Sequence, residues 1–211
     1  MESIINDFKN CELCDLHRFR GRQGYENICF WRGEERAEIY LLGEAPGENE
    51  AKQGKPFVGK AGQLLDKIIT SVNHLDMKDI HINNCLLCRP SNNATPTKKQ
   101  IIACMPRLTQ QINLVRPKIV IALGNVALNT LSGKTGITKM RGIVGWSGDV
   151  LSGQFKTRWI RANGEAPYDF LVGATFHPAA AFRGSEERRA NVIAAIKTDL
   201  QIFANRIKLD A

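Results

Sequence analysis

The sequence predicts an α/β protein, a three-layer α/β/α sandwich around a central, mostly parallel β-sheet. Short apolar runs, typical of buried strands, alternate along the chain with amphipathic segments of helical period. Glycine and proline separate these segments, as they do in the loops of such folds. The 211 residues are 43% hydrophobic, enough for one core, so we expect a single domain over residues 1–211.

The first half of the chain predicts an arm followed by two strands and a helix. Residues 1–36 are polar and are expected to form an N-terminal arm, a short helix followed by irregular chain. The apolar run at 37–43 predicts a buried strand, and the Gly- and Pro-rich stretch 43–62 predicts a long loop. Helical spacing at 61–72 predicts an amphipathic helix, and 80–83 predicts a short strand.

The second half continues the alternation of strands and helices. Further strands are predicted at 118–123, 155–162 and 169–176, and further helices at 98–115, 125–131 and 186–206. The loops at 43–60, 84–97 and 177–185 all follow strands. Because ligands bind beyond the carboxyl ends of parallel strands, these loops are expected to converge on one functional edge.

Charge and hydropathy narrow the class of partner. The net charge of +8 favours an anionic partner such as nucleic acid, although a solvated basic surface would give the same excess. No window of 18 apolar residues occurs, so we expect no membrane span. The N-terminus lacks the apolar segment of a signal peptide, so we expect a cytoplasmic protein whose cysteines are thiols or metal ligands.

Four of the cysteines form a candidate metal-ligand set. Cys11 and Cys14 form a CxxC in the arm, while Cys88 lies in a predicted loop and Cys104 on the helix after it. Four thiolates suit either Zn²⁺ or a [4Fe–4S] cluster, and spacing alone leaves both open. The alternative for Cys104 is a small buried apolar side chain.

The loop from Gly43 to Gly62 is the richest candidate for ligand binding. Its glycines and prolines hold an irregular backbone that could approach a ligand closely. The phosphate-binding pattern GxxxxGK[ST] is absent, since neither Gly54-Lys55 nor Gly59-Lys60 is followed by Ser or Thr. The loop therefore predicts a binding site of a kind other than that of a P-loop nucleotidase.

Motifs across most of the chain point to one family. They are GEAPG (43–47), GKPFVGKAGQLLD (54–66), NNCLLCRP (83–90), Cys104, PKIVIALGNVAL (117–128), RG (141–142) and HPAAAFR (177–183). In this order and spacing they resemble a family four uracil-DNA glycosylase, the type that carries an iron–sulfur cluster. The resemblance implies hydrolysis of the N-glycosidic bond of uracil in DNA, which leaves an abasic site for base-excision repair.

The same resemblance implies the cofactor and the partner. Cys11, Cys14, Cys88 and Cys104 fall where the family places its cluster ligands, which favours [4Fe–4S] over zinc. The expected partner is uracil-containing DNA, with no membrane association. We expect the protein to act as a monomer.

Such a reaction requires a base pocket, because the target nucleotide must leave the stack to expose C1′. Phe57 is expected to stack on the base. Asn84 can read its edge, since an amide donates to O4 and accepts from N3–H but mismatches cytosine. His177 can donate to O2 as negative charge develops there. Phe57 and Asn84 each have a plainer reading, as a core phenylalanine and as a turn asparagine.

The loop after the first strand is expected to complete the pocket. By the family pattern, Glu44 and Ala45 lie at the base, and Glu44 could position water or support the sugar through the oxocarbenium-like transition state. The pattern places Glu50 where it would crowd C5 and reject the methyl group of thymine. The alternative is that Glu50 points to solvent.

DNA is expected to be held at the rim of the pocket. Lys60, Arg89 and Arg183 follow the motifs and are the candidates for phosphate contacts. Phe182 could serve as the wedge that takes the place of the flipped base, because Ala181 stands where the family usually has a larger residue.

Departures from the family pattern keep an alternative open. Leu87 replaces a usual Lys, Ala94 a usual Arg, and Ala180 and Ala181 replace Tyr and Leu. These changes could weaken the grip on DNA, so the chain could be a non-catalytic or altered-specificity DNA-binding relative that keeps the fold and cluster. Phe57 and Asn84 are unchanged, which argues against a different base.

Overall fold

The computed structural model describes residues 1–142, 145–147 and 169–209. The strands are β1 (Arg32–Gly33), β2 (Ile39–Gly43), β3 (Ile80–Asn84), β4 (Ile119–Leu123), β5 (Gly145–Trp146) and β6 (Leu171–Thr175). The α-helices in these ranges are α1 (Glu2–Phe8), α2 (Glu48–Gln53), α3 (Lys60–Ile69), α4 (Lys98–Val115), α5 (Asn125–Ser132), α6 (Ile137–Met140) and α7 (Glu186–Leu209). Short 3₁₀ helices occur at Asp15–Phe19, Met77–Asp79, Ser91–Asn93 and Pro178–Phe182.

The strands form one sheet in the order β1-β3-β2-β4-β6-β5. The four inner strands are parallel, with Ile39 opposite both Ile80 and Ile119, and Ile119 opposite Leu171. The edge strands β1 and β5 pair antiparallel with β3 and β6. The predicted mostly parallel sheet is confirmed.

Both faces of the sheet are covered by helices. Tyr40 and Leu42 pack on one face in a core shared with α4 and α5, and Ile39 and Leu41 pack on the other in a core shared with α3 and α7. Because successive strand residues point to opposite faces, two covered faces require the nearly unbroken apolar runs seen in the sequence. The three-layer α/β/α prediction is therefore correct.

Helix α4 has the bounds that the sequence predicted, because signals in the sequence fix both of its ends. At its start, the Thr97 hydroxyl accepts from the Gln100 amide at 3.3 Å, and the Gln100 side chain accepts from the Thr97 amide at 2.9 Å. At its end, Arg116 adopts a left-handed conformation with φ of 52°, directly before Pro117.

The structure contains elements that were not predicted from the sequence. The stretch 43–62, predicted as a loop, contains the helix α2, which is polar and too short to show an apolar period. The two-residue edge strands β1 and β5 were not predicted, because pairs of residues carry no alternating pattern. The strand predicted at 155–162 lies outside the described residues.

Backbone hydrogen bonds join the loops at the carboxyl edge of the sheet. The Cys85 amide donates to the Gly43 carbonyl at 3.0 Å, which ties together the chain segments that follow β3 and β2. The Gly124 amide donates to the Thr175 carbonyl at 2.9 Å, which ties the end of β4 to that of β6. The loops after the inner strands therefore converge, as predicted. None of the helices in the described ranges combines the length and apolar character that crossing a membrane requires.

Candidate active site

A cleft of about 330 Å³ opens at this edge of the sheet. The loops after all four inner strands contribute to its wall. The lining residues include Glu44, Ala45, Pro46, Asn93, Gly124, Asn125, His177 and Arg183. A concave site where these loops meet is the expected place for a ligand in this class of fold.

Phe57 and Asn84 meet beside this cleft because the last residue of β2 is a glycine. A Cβ atom on Gly43 would collide with Asn84 Oδ1 and with the ring of Phe57. The Phe57 ring is only 5% exposed, and its centroid lies 5.5 Å from that of the His177 ring. Phe57, Asn84 and His177 are thus brought together near Gly43, and of these three side chains His177 is the one that lines the cleft.

Asn84 carries an unused hydrogen-bond acceptor. The residue is 1% exposed, and its Oδ1 atom is buried without a hydrogen-bond partner among the described residues. Its main chain is fully engaged, since its amide donates to Asn83 Oδ1 at 2.6 Å and its carbonyl accepts from Arg107 at 2.8 Å. A buried acceptor without a donor costs about 1–3 kcal/mol, so this oxygen is suited to an N–H group of a ligand.

His177 is held as a neutral hydrogen-bond donor. Burial, with a smaller contribution from the Arg183 charge, lowers the pKa of the imidazole to about 4. Its Nδ1 atom accepts from the Ala179 amide at 3.1 Å. Because Nδ1 is an acceptor, the neutral ring carries its proton on Nε2, which is the atom left to donate to a ligand.

Glu44 and Ala45 line the cleft, as the resemblance implied. Burial raises the pKa of the Glu44 carboxyl, and the nearby Arg183 guanidinium opposes that rise. Glu44, His177 and Arg183 therefore share one electrostatic environment, in which a carboxyl group, a neutral imidazole and a guanidinium surround the same opening.

The Glu50 carboxylate is held by backbone amides of its own loop. Its Oε2 atom accepts from the Gly47 amide at 3.1 Å, and its Oε1 atom accepts from the Gly59 amide at 2.7 Å. The carboxylate therefore caps α2 and braces the loop backbone, and Glu50 is not among the residues that line the cleft. That this carboxylate crowds C5 of a bound base stays a prediction, and these two hydrogen bonds fix the place from which it would do so.

Arg89 is placed differently from the prediction. It is 8% exposed, and its guanidinium donates to Asn93 Oδ1 and to the Gly24 carbonyl, both at 2.8 Å. It also pairs with Glu48 at 3.2 Å and stacks over the Tyr25 ring at 4.7 Å. These contacts fix the N-terminal arm to the domain, so the predicted phosphate contact is contradicted by the burial of this side chain.

The other predicted DNA-binding residues are accessible. Lys60 is exposed at the first residue of α3, and Arg183 is exposed beside the cleft. Phe182 is 45% exposed, with the Arg189 guanidinium 5.6 Å from its ring centroid, whereas Ala181 is 2% exposed. Of these two residues, only Phe182 could insert into a DNA stack.

The four predicted metal-binding cysteines surround one small cavity between the arm and the domain. Cys11, Cys14, Cys88 and Cys104 all line it, together with apolar side chains and Arg107. In the described ranges, no three His, Cys, Asp or Glu side chains come close enough together to hold a single metal ion. The structure thus brings the four thiols around a common space without the tight grouping of a one-ion site.

The chemistry of these thiols fits a cationic inorganic group. Burial, reinforced by the neighbouring thiols, raises the pKa of Cys88 to about 12. Burial also raises the pKa of Cys14 and of Cys104. Thiolates form in such an apolar cavity when metal cations bind them, so this donor set is suited to iron or zinc.

The arm that carries the CxxC is shaped by polar contacts. Arg20 donates to the carbonyls of Lys9 and Cys11, each at 2.9 Å, and so closes the turn that holds the first two cysteines. The side chain of Gln100 on α4 donates to Asp15 at 3.0 Å. These bonds hold the arm against the helix that carries Cys104.

Two features of the site were not predicted from the sequence. Asn125, the first residue of α5, lines the cleft, and its position directly after a buried parallel strand was the available signal. Arg107 is fully buried behind Asn84. Its signal was a charged residue three positions after Cys104, on the apolar side of an amphipathic helix.

Comparisons with known proteins identify the family of the chain. Residues 30–201 match the model of the uracil DNA glycosylase superfamily. The chain is 41% identical over 181 residues to a type-4 uracil-DNA glycosylase of Saccharolobus solfataricus, covering 86% of this chain and 76% of the relative. It is 35% identical over 195 residues to a type-4 uracil-DNA glycosylase of Sulfurisphaera tokodaii, covering 90% and 79%. A third type-4 uracil-DNA glycosylase, from Thermotoga maritima, is 38% identical over 144 residues, 67% of this chain and 72% of the relative.

The state of His177 can be tested by NMR. In protein with ¹⁵N-labelled histidine, we expect the neutral Nε2–H tautomer at neutral pH, with protonation only as the pH falls toward 4. Because this pKa lies below the ordinary value of about 6.5, the unfolded chain binds more protons between the two values, so stability falls as the pH is lowered through that window. The urea-unfolded chain provides the control. A folded-state titration near 6.5, or an Nδ1–H tautomer, would contradict the account.

Proposed function

Because the chain belongs to the uracil DNA glycosylase superfamily, and within it to the type-4 uracil-DNA glycosylases, we propose that it hydrolyses the N-glycosidic bond of uracil in DNA. The products are free uracil and an abasic site, the first intermediate of base-excision repair. The observation that carries the proposal is the buried Oδ1 atom of Asn84, which has no donor among the described residues beside the cleft.

Asn84 supplies the reading of the base. Uracil presents a donor at N3–H and an acceptor at O4, which match Oδ1 and Nδ2 of one amide. Cytosine presents an acceptor at N3 and a donor at N4, so the same amide would face two mismatched contacts. Because the side chain is 1% exposed, a mismatched base would leave buried polar groups unpaired.

Phe57 supplies the surface on which the base stacks. Its ring lies beside the side chains of both Asn84 and His177, so a stacked uracil would be within reach of an edge reader and a donor. Phe57 itself adopts a left-handed backbone with φ of 55°, a strained conformation for an aromatic residue. Such strain is typical of a residue that is positioned for function.

His177 and Glu44 supply the chemistry. As the bond between C1′ and N1 breaks, negative charge spreads onto the uracil ring, and the neutral Nε2–H of His177 donates to O2. The sugar becomes an oxocarbenium ion, and the Glu44 carboxylate stabilises it and orients the water that attacks C1′. The hydroxyl group of that water joins C1′, and its proton is left to neutralise the departing uracil anion.

The DNA strand is held by the basic rim. Arg183 beside the cleft and Lys60 at the start of α3 are placed to contact phosphates, and Phe182 fills the gap left by the flipped base. The net charge of +8 supports an anionic substrate. We propose that one domain over residues 1–211 acts as a monomer in the cytoplasm.

The four-cysteine cavity is proposed to hold a [4Fe–4S] cluster on Cys11, Cys14, Cys88 and Cys104. The cavity shared by the four cysteines supports a site for an inorganic group, and the resemblance to the iron–sulfur type supports this choice over zinc. When bound, the cluster supplies a cross-link between the arm and the domain. The chain's own residues carry out every step at the base.

The alternative of a non-catalytic relative depends on four substitutions. Leu87 is 2% exposed and lines the four-cysteine cavity, and Ala181 is equally buried in the core shared with α3 and α7, so neither side chain is exposed for contact with the DNA backbone. Ala94 and Ala180 line the cleft, where smaller side chains reduce contact with DNA. The residues assigned to base reading and to chemistry are all retained, which favours an active enzyme.

Replacing the base reader should abolish most activity. For Asn84→Ala, we expect uracil excision under single-turnover conditions to fall by about two to three decades, because the buried edge of the base loses its partner. The matched control is Asn73→Ala. Asn73 is exposed, its backbone amide donates to the side chain of Gln201 on α7, and neither residue lines the cleft. Excision by Asn84→Ala at the wild-type rate would show that another group reads the base.

The cofactor can be identified directly. Protein purified without oxygen should be brown and should contain about four irons and little zinc per chain. Replacing Cys104 by Ala should bleach the visible absorption, whereas Cys29→Ala, a buried cysteine that donates to the Glu50 carbonyl, should leave it intact. One zinc per chain and no iron would overturn the assignment.

A further inference from the structure

We infer that Arg107 is a positioning residue that couples the four-cysteine cavity to the base-reading Asn84, an inference that rests on the proposed function. Its guanidinium is proposed to serve as the counter-charge of the cluster on one side. On the other side, it holds the backbone from which Asn84 reaches the base. The cluster would then help to orient the base reader as well as to cross-link the arm.

Arg107 lies in the interior of the domain. It is 0% exposed on α4, three residues after Cys104. Its Nη2 group donates to the carbonyls of Asn84 and Cys85, both at 2.8 Å, and its Nη1 group donates to Gln111 at 2.9 Å. One guanidinium thus grips two consecutive carbonyls at the end of β3.

This buried cation has only neutral partners in the protein. In the part of the chain that the structure describes, Arg107 forms no ion pair with a carboxylate, and its Nε–H is buried without an acceptor. An unpaired buried charge costs several kcal/mol, so an arginine here requires a nearby source of negative charge.

The four-cysteine cavity provides that source. Arg107 lines the same cavity as Cys11, Cys14, Cys88 and Cys104, and it lies three residues after Cys104 on α4. A [4Fe–4S] cluster bound by four thiolates carries net negative charge. The Arg107 guanidinium is therefore placed to neutralise that charge and to donate to its sulfur ligands, a contact that stabilises such clusters.

The other side of the guanidinium sets the geometry of the base reader. Asn84 occupies the last position of β3, opposite Gly43 of β2, and the chain leaves the sheet directly after it. The grip on two carbonyls fixes this peptide, and with it the position of Oδ1. An ammonium group at residue 107 could supply charge, but it lacks the planar fork that holds two carbonyls and Gln111 together.

The two roles can be separated with two substitutions and a control. Arg107→Lys keeps the charge and loses the fork, whereas Arg107→Met loses both. The control is Arg32→Met. Arg32 is partly buried, unlike the fully buried Arg107, and it pairs with Asp66 on α3 away from the cavity. For each protein, iron release to a chelator is timed, single-turnover excision of uracil and the Kd for DNA are measured, and circular dichroism confirms folding.

The expected results differ for each variant. Arg107→Met should release iron about tenfold faster than wild type, whereas Arg107→Lys and Arg32→Met should stay within about threefold. Arg107→Lys should slow excision by about tenfold or more with little change in Kd for DNA, because only the base reader is displaced. If Arg107→Met releases iron at the wild-type rate, or if Arg107→Lys excises uracil at the wild-type rate, the corresponding role is refuted.

A double-mutant cycle distinguishes positioning from general support of the fold. In an Asn84→Ala background, Arg107→Lys should add less than about threefold to the slowing, since the group it positions is already gone. An equal slowing in both backgrounds would overturn the coupling. If the wild-type protein released no uracil at all, the proposed function would fail, and the iron-release comparison would still test the counter-charge by itself.

Discussion

The Oδ1 atom of Asn84 lies buried at the end of β3 with no donor among the described residues. Neighbouring residues leave space for this side chain and hold its backbone in place. Gly43 leaves the space that Asn84 and Phe57 occupy, since any side chain at this position would collide with both. Arg107 holds the Asn84 carbonyl from behind. A protein usually avoids an unsatisfied buried acceptor, so its retention here is explained by a ligand that completes it.

The parallel sheet brings this local arrangement to the edge where we propose the active site. Because β2, β3, β4 and β6 all end at one edge, Glu44 and His177 line one cleft, and Asn84 is buried at the same edge of the sheet at the end of β3. Each contributes a different chemical property: a carboxyl group, a neutral amide, and an imidazole kept neutral by its burial. The chemical role of each group depends on its environment, since carboxyl, amide and imidazole groups also occur in many sites with other functions.

The sequence was informative wherever the determinant was local. The apolar run 118–123 and the Thr97–Gln100 cap specify β4 and α4, and the order of the motifs identifies the family. It was uninformative where the partner is remote. Glu50 binds the Gly59 amide across the loop and Arg89 binds Gly24 in the arm, so sequence alone could not show that both side chains are occupied.

We propose that the unpaired oxygen of Asn84 accepts a hydrogen bond from the N3–H of an extruded uracil. A crystal structure of the protein with uracil bound tests this proposal most directly. The account predicts uracil stacked on Phe57, with Asn84 Oδ1 about 2.7–3.2 Å from N3 and Nδ2 at a similar distance from O4. A base bound elsewhere, or one that leaves Asn84 Oδ1 without a donor, would contradict it.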